Sequence, residues 1–130
     1  MSTSIAQRII PVLAYADIAA AQEQLVTAFG FERGRLDRDG DGRAVHADVS
    51  LGGQMIWLHR VTEEHGMHSQ QGVPTTGGLE IVVDDVDAHH ARARGAGADL
   101  LSAPRDQPYG MREYGARDLE GRRWYFATPT

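Results

Sequence analysis

Apolar and polar residues alternate strictly over residues 44–51. Val45, Ala47, Val49 and Leu51 fall on one face and Ala44, His46, Asp48 and Ser50 on the other, which predicts a half-buried strand. Gly52 and Gly53 turn the chain, and residues 55–60 return as a second strand. Ahead of this pair, residues 8–15 form a short β-branched run whose Pro11 implies an edge position. Asp17 is placed to cap a helix over residues 18–29, where Ile18, Ala21, Leu25, Val26 and Phe29 recur at intervals of three and four and Gly30 ends the run. Residues 31–36 then read as a strand. The first half therefore spells strand, helix, strand, strand, strand.

The second half spells the same order. Residues 79–83 are a strand, Asp85 a cap, residues 86–94 a helix ended by Gly95 and Gly97, and residues 99–102 a short strand. Residues 111–117 and 122–128 make a hairpin about the turn Asp118-Leu119-Glu120-Gly121. Asp17 and Asp85 stand 68 apart, and so do Gly53 and Gly121. The same spacing links two helix caps and two hairpin turns, so the chain reads as an internal repeat. The first copy covers about residues 5–61 and the second about 78–128. A polar, Gly-rich linker, residues 62–77, joins them within one domain of 130 residues.

Composition narrows the function more than the fold. A 42% hydrophobic and 24% charged chain is that of a soluble globular protein, and a formal net charge of −5 argues against a nucleic-acid partner. There is no cysteine, which excludes disulfides, thiolate catalysis and Cys-based zinc sites. Residues 1–8 lack the apolar run of a signal peptide and no apolar stretch is long enough to span a membrane, so a cytoplasmic protein is expected.

Two βαβββ units of this length resemble the vicinal oxygen chelate superfamily of glyoxalases, bleomycin-resistance proteins and extradiol dioxygenases. The resemblance is carried by Gly78-Leu79-Glu80-Ile81-Val82-Val83-Asp84-Asp85-Val86-Asp87, by Gln107-Pro108-Tyr109-Gly110-Met111-Arg112-Glu113 and by the turn at 118–121. It implies an α+β fold in which two βαβββ repeats curve into a half-open β cup that holds the ligand, often in a homodimer whose cups are built from two chains. It also implies a divalent metal on four cup-facing positions, which fall here on Ile10, Trp57, Gly78 and Tyr125. None is an ordinary metal ligand, because such an ion needs imidazole or carboxylate donors. No metal and no other cofactor is therefore expected, and no catalytic residue is assigned.

Strand alternation from those positions assigns the cup wall. Met55, Trp57 and His59 come from one strand and His46 and Asp48 from its neighbour, with Glu80, Arg123 and Tyr125 from the second repeat. Ile56, Leu58, Leu79, Ile81, Val83, Trp124 and Phe126 then fall on the helix side. Tyr109 and Met111 lie at the cup's rim in the loop before the last hairpin. Aromatic walls with a few polar groups suit a flat, partly apolar small molecule. The reading that follows is sequestration of an aromatic or antibiotic-like ligand. Two others stand beside it: a lyase, isomerase or dioxygenase in which His46 and His59, with Asp48 or Glu80, form a relocated metal site or an acid–base pair, and an interaction subunit whose own rings fill the cup.

Several tempting motifs have plainer explanations. Asp37 to Gly42 is spelled like a calcium loop, but position 12 is Asp48 in place of the bidentate Glu. His65 and His68 have metal-ligand spacing without a third ligand nearby in sequence. His89 and His90 are expected to be solvated on their helix. Asp84, Asp85 and Asp87 favour the positive end of the helix dipole.

Overall fold

A computed structural model describes residues 5–130; residues 1–4, the start of the segment read for a leader, lie outside it. Among the described residues there are nine strands and two helices. The first repeat contains β1 (Val12–Tyr15), α1 (Ile18–Thr27), β2 (Glu32–Arg38), β3 (Ala44–Leu51) and β4 (Gln54–Arg60). The second contains β5 (Leu79–Val82), α2 (Val86–Gly95), β6 (Asp99–Leu100), β7 (Arg105–Asp106), β8 (Met111–Arg117) and β9 (Arg123–Pro129). The fold is α+β, with one mixed sheet per repeat. The first sheet runs β1-β4-β3-β2 and the second β5-β9-β8-β6, with β7 also paired to β8.

The internal repeat is visible in the geometry of its markers. Asp17 accepts a hydrogen bond from the Ala20 amide at 3.0 Å, and Asp85 accepts one from the Ala88 amide at 3.1 Å. Gly53 and Gly121 both sit in the left-handed region, at φ 83° and 85°, where a side chain would be strained. Strand register repeats too. In the first sheet β1 runs parallel to β4 with Val12 opposite Trp57, and in the second β5 runs parallel to β9 with Glu80 opposite Tyr125. Both pairs are related by the same offset of 68. As Pro11 implied, β1 is an edge strand, and the Pro11 carbonyl accepts from the Trp57 amide at 2.9 Å.

Both helices cover the inner faces of the sheets, and one hydrophobic cluster spans the two repeats. It joins Leu25, Phe29, Phe31 and Leu58 of the first to Val86, Tyr114, Trp124 and Phe126 of the second. Trp124 and Phe126 are fully buried, and Phe31 meets Trp124 edge-on with ring centroids 5.7 Å apart. Polar ties also cross between the repeats. Glu120, in the second hairpin's turn, accepts from the Ala16 and Asp17 amides at 2.7 and 2.8 Å ahead of α1. Arg92 on α2 donates to the Thr27 and Val26 carbonyls, each at 3.1 Å, at the other end of α1. Each end of that helix is thus tied to the other repeat.

Four expectations need correction. The strand expected at 8–15 begins only at Val12, and the strand expected at 99–102 is cut to Asp99–Leu100. A short strand at Arg105–Asp106, not among the expected elements, pairs with Glu113 and Arg112. His89 is not solvated: it is half-buried and hydrogen-bonded to both the Phe29 carbonyl and the Tyr114 hydroxyl. Residues 62–77 carry no helix or strand beyond a bridge between Thr62 and Met67.

Candidate functional site

Each sheet turns one face to the helices and presents the other outward. On β4, Ile56 and Leu58 are buried while Trp57 keeps 37% of its surface exposed; on β9, Trp124 and Phe126 are buried while Arg123 and Tyr125 remain partly exposed. Leu79, Ile81 and Val83 pack on the core, and Val82, on the opposite face of β5, is 55% exposed. Alternation thus distributes the side chains as strand periodicity requires.

The first repeat's outer face is aromatic and imidazole-rich. Trp57 Nε1 donates to Met55 Sδ at 2.9 Å, which fixes the indole over the thioether. His46 stands directly opposite His59 across β3 and β4 and meets Trp57 edge-on at 5.6 Å. His46 Nδ1 lies 3.7 Å from Asp37, and His59 Nδ1 hydrogen-bonds the Arg60 carbonyl at 2.7 Å. His65 is carried by the following loop against His59, ring centroids 5.8 Å apart. Its contact with His59 could not be read from sequence, since it depends on the Thr62–Met67 turn.

Asp48 does not reach the cup. It is 6% exposed, and its Oδ1 accepts from the Arg35 amide at 3.1 Å where β2 breaks register against β3. The carboxylate occupies the space over Gly34, where an added Cβ would meet Oδ1 at 1.7 Å. Asp48 thus takes up a backbone amide that the register break leaves without a strand partner. The calcium-like loop has a similar explanation. Asp39 accepts from the Asp41 and Arg43 amides at 2.9 and 3.0 Å, and these bonds hold its carboxyl below the ordinary carboxylate range.

The second repeat's outer face is phenolic and acidic. The Tyr125 ring spans two glycines: a Cβ at Gly78 would lie 3.4 Å from one edge of it, and a Cβ at Gly115 would lie 3.2 Å from the other. These absent side chains leave the ring lying across its own sheet. Glu80, opposite Tyr125 on β5, hydrogen-bonds Glu113 of β8, and Tyr109 OH donates to Glu113 Oε1 at 2.6 Å. The bond to Glu113 does most to push the Glu80 carboxyl up to about 7; burial and the neighbouring negative charge add to it. Glu80 therefore keeps its proton to higher pH than an ordinary carboxyl does. Tyr109 is pushed up to about 12, chiefly because its proton is held by Glu113. Glu113 was missed by sequence reasoning, yet Met111, Glu113 and Gly115 alternate on one face of β8, which is the signal that finds it. Arg123 and Met111 lie partly exposed at opposite ends of the hairpin, Arg123 opposite Arg117 and Met111 opposite Pro129.

A groove of about 390 Å³ runs where the two repeats meet. Ile9, Pro11, Leu51, Gln54, Met55 and Ile56 line it from the first, and Leu79, Glu80, Ile81 and Val82 from the second. Met55 and Glu80 thereby reach one space from different repeats. Tyr109, 61% exposed, stands at the end of the acidic face beside Gly110.

The model of the Glyoxalase/Bleomycin resistance protein/Dioxygenase superfamily matches residues 8–126. The chain belongs to this superfamily. Among its relatives, an uncharacterised protein of Mycobacterium tuberculosis is 32% identical over 136 residues, covering 99% of this chain and 78% of that protein. TioX from Micromonospora sp. ML1 is 35% identical, with a TM-score of 0.77 over 96% of this chain and all of that one. TnmS3, an antibiotic binding protein from Streptomyces sp. CB03234, is 23% identical, with a TM-score of 0.72 over 99% of this chain and all of that one. The last likeness is one of fold.

The superfamily's metal does not fit its usual positions in this chain. Ile10 is aliphatic, Gly78 offers no side-chain donor, and the Trp57 nitrogen already gives its hydrogen to Met55. Tyr125 is a phenol between two glycines where the resemblance places a glutamate. Among the described residues, no three His, Asp or Glu side chains converge as a metal set elsewhere. His46 and His59 face each other, but Glu80 belongs to the other sheet and Asp48 is engaged by the Arg35 amide.

Proposed function

We propose that this member of the superfamily binds and sequesters a flat, aromatic, antibiotic-like small molecule in its cup without a metal. The observation that carries the reading is the replacement of all four family metal positions by Ile10, Trp57, Gly78 and Tyr125, two of them partly exposed rings on the outer faces of the sheets. Those rings supply stacking surface where an enzyme of the family would supply ligands to an ion. Met55 and His46 set the Trp57 wall, and Glu80, Tyr109 and Tyr125 the opposite one, with His59, Met111 and Arg123 at the margins. That TnmS3 binds an antibiotic on the same fold supports the reading.

The proposed working form is a cytoplasmic homodimer. Ile9, Val12, Trp57 and Val82 are exposed on or beside the outer faces, and a second copy packed there would enclose the cup.

Trp57 supplies the test. Titration with a panel of aromatic antibiotics and dyes should change its emission, and Trp57→Ala should abolish the response while the fold persists. No change with any compound, together with a neutral or stabilising Trp57→Ala, would sink the ligand-binding reading. Stoichiometric Ni, Zn, Mn or Fe retained through purification would replace it with an enzymatic one.

A further inference from the structure

The two outer faces are built on the same register but carry different chemistry. Trp57 has Val12 on one side and Asp48, turned away beneath the bulge, on the other. Tyr125 has Glu80 and Gly115 in the equivalent places. Two residues before Asp48 stands His46, and two before Gly115 stands Glu113. A pair of carboxyl groups therefore occupies, beside Tyr125, the ground held by Val12 and His46 beside Trp57. A repeat that needed only a second apolar wall would have no use for this exchange.

From this asymmetry we infer that the ligand is cationic: a flat aromatic bearing a protonated amine or amidine, its charge seated between Glu80 and Glu113 against the Tyr125 and Tyr109 rings. The inference rests on the ligand-binding reading and adds the charge of what is bound. An ammonium group is attracted both to carboxylates and to the faces of tyrosine rings. Glu80 also reaches the groove shared with Met55, so a cation there can belong to a molecule whose rings lie along the apolar lining.

Without ligand, Glu80 keeps its proton up to about pH 7 beside Glu113, and the hydroxyl of Tyr109 fills one lone pair of Glu113. An arriving cation takes over the proton's task of separating two like charges, and the proton leaves to solvent. The groups facing Glu80 are Glu113 of β8, Tyr109 of the preceding loop, Tyr125 of β9 and, across the groove, the uncharged Met55. Arg123, two residues before Tyr125 on the same face, forms no ion pair among the described residues.

The test is calorimetric titration of the full chain at pH 7 with three probes of one shape: cationic 9-aminoacridine, neutral acridone and anionic anthracene-9-carboxylate. 9-Aminoacridine should bind at least about tenfold more tightly than acridone, and the anion more weakly than either. Titrations in buffers of different ionisation enthalpy should show up to one proton released per 9-aminoacridine bound. The double variant E80Q/E113Q should bring the first two affinities to within about threefold and abolish the proton release. Equal binding of acridone and 9-aminoacridine by the unaltered protein, or a preference that survives the double variant, would overturn the inference and leave ligand binding intact. Saturable binding of none of the three would overturn both. The probe comparison and the proton count need no variant, so a misfolded double variant could not shelter the idea.

Discussion

Tyr15 and Asp118, 103 residues apart, meet through a 2.6 Å hydrogen bond inside the shared core. The same carboxylate accepts from Trp124 Nε1 at 3.0 Å and from the Glu120 and Arg122 amides, each at 3.0 Å. Burial, with the Asp118 charge beside it, holds the Tyr15 hydroxyl well above the usual phenol range. One turn residue of the second repeat thus fastens the first. Asp118→Ala leaves the buried Tyr15 O–H and Trp124 N–H without partners, so it should destabilise the protein by about 2–4 kcal/mol. Urea unfolding measures this directly; a loss below about 1 kcal/mol would show that water or a rearranged turn replaces the carboxylate.

The two tryptophans should behave as opposites. Trp124 is fully buried and Trp57 37% exposed. Trp124→Ala should cost about 3–5 kcal/mol, and Trp57→Ala no more than about 1 kcal/mol. Acrylamide should quench Trp57 in the Trp124→Phe variant far more readily than Trp124 in the Trp57→Phe variant. Equal quenching would mean that the Trp57 face is closed to a small solute and would overturn its assignment as an open wall of the cup.

Much of this architecture was legible before the structure, because its markers are local. A helix cap at Asp17 or Asp85 needs only an amide three residues on, and a Gly at 53 or 121 needs only a tight turn. Alternation in β4 and β9 separated Trp57 from Ile56 and Tyr125 from Trp124 for the same reason. What was not legible depends on distance. Asp48 alternates onto the outer face, but the break in register at Gly34 draws its carboxylate onto a backbone amide of β2. His89 looked like a solvated helix residue because neither Phe29 nor Tyr114 is near it in sequence. Glu80 was legible as a residue on the face of β5 opposite Leu79 and Ile81, whereas its place beside Glu113 required the order β5-β9-β8.

Gly34 should tolerate no side chain. Its Cβ would fall 1.7 Å from Asp48 Oδ1 and 2.6 Å from the Asp48 carbonyl oxygen, and that backbone cannot swing aside as a flexible side chain could. Gly34→Ala should therefore destabilise the fold by about 2–3 kcal/mol. Asp48→Ala relieves the side-chain clash alone, so adding it should rescue only part of the loss. Full rescue would mean that the backbone at the bulge relaxes freely.

His89 makes the last prediction, and it concerns pH. Its Nε2 lies 2.8 Å from the Phe29 carbonyl and must donate to it, which leaves Nδ1 of the neutral ring to accept from Tyr114 OH at 2.6 Å. Burial, which outweighs the Phe29 bond, lowers its pKa from the ordinary 6.5, and the positive charges of Arg92 and His90 act in the same sense. The unfolded chain then binds this proton more readily than the folded one. His89 should therefore withdraw stability as pH falls through 6.5 toward its lowered folded value, with no further change below that. Glu80 opposes it: its folded pKa of about 7 stands above the ordinary 4.5, so its contribution is present at low pH and lost as pH rises through that window. The wild-type profile mixes the two signs, and variants separate them. Relative to wild type, His89→Gln should make the change in urea midpoint from pH 5 to pH 8 more negative, and Glu80→Gln should make it more positive. A His89→Gln profile parallel to wild type would mean that the imidazole remains neutral, or exchanges its proton alike, in both states.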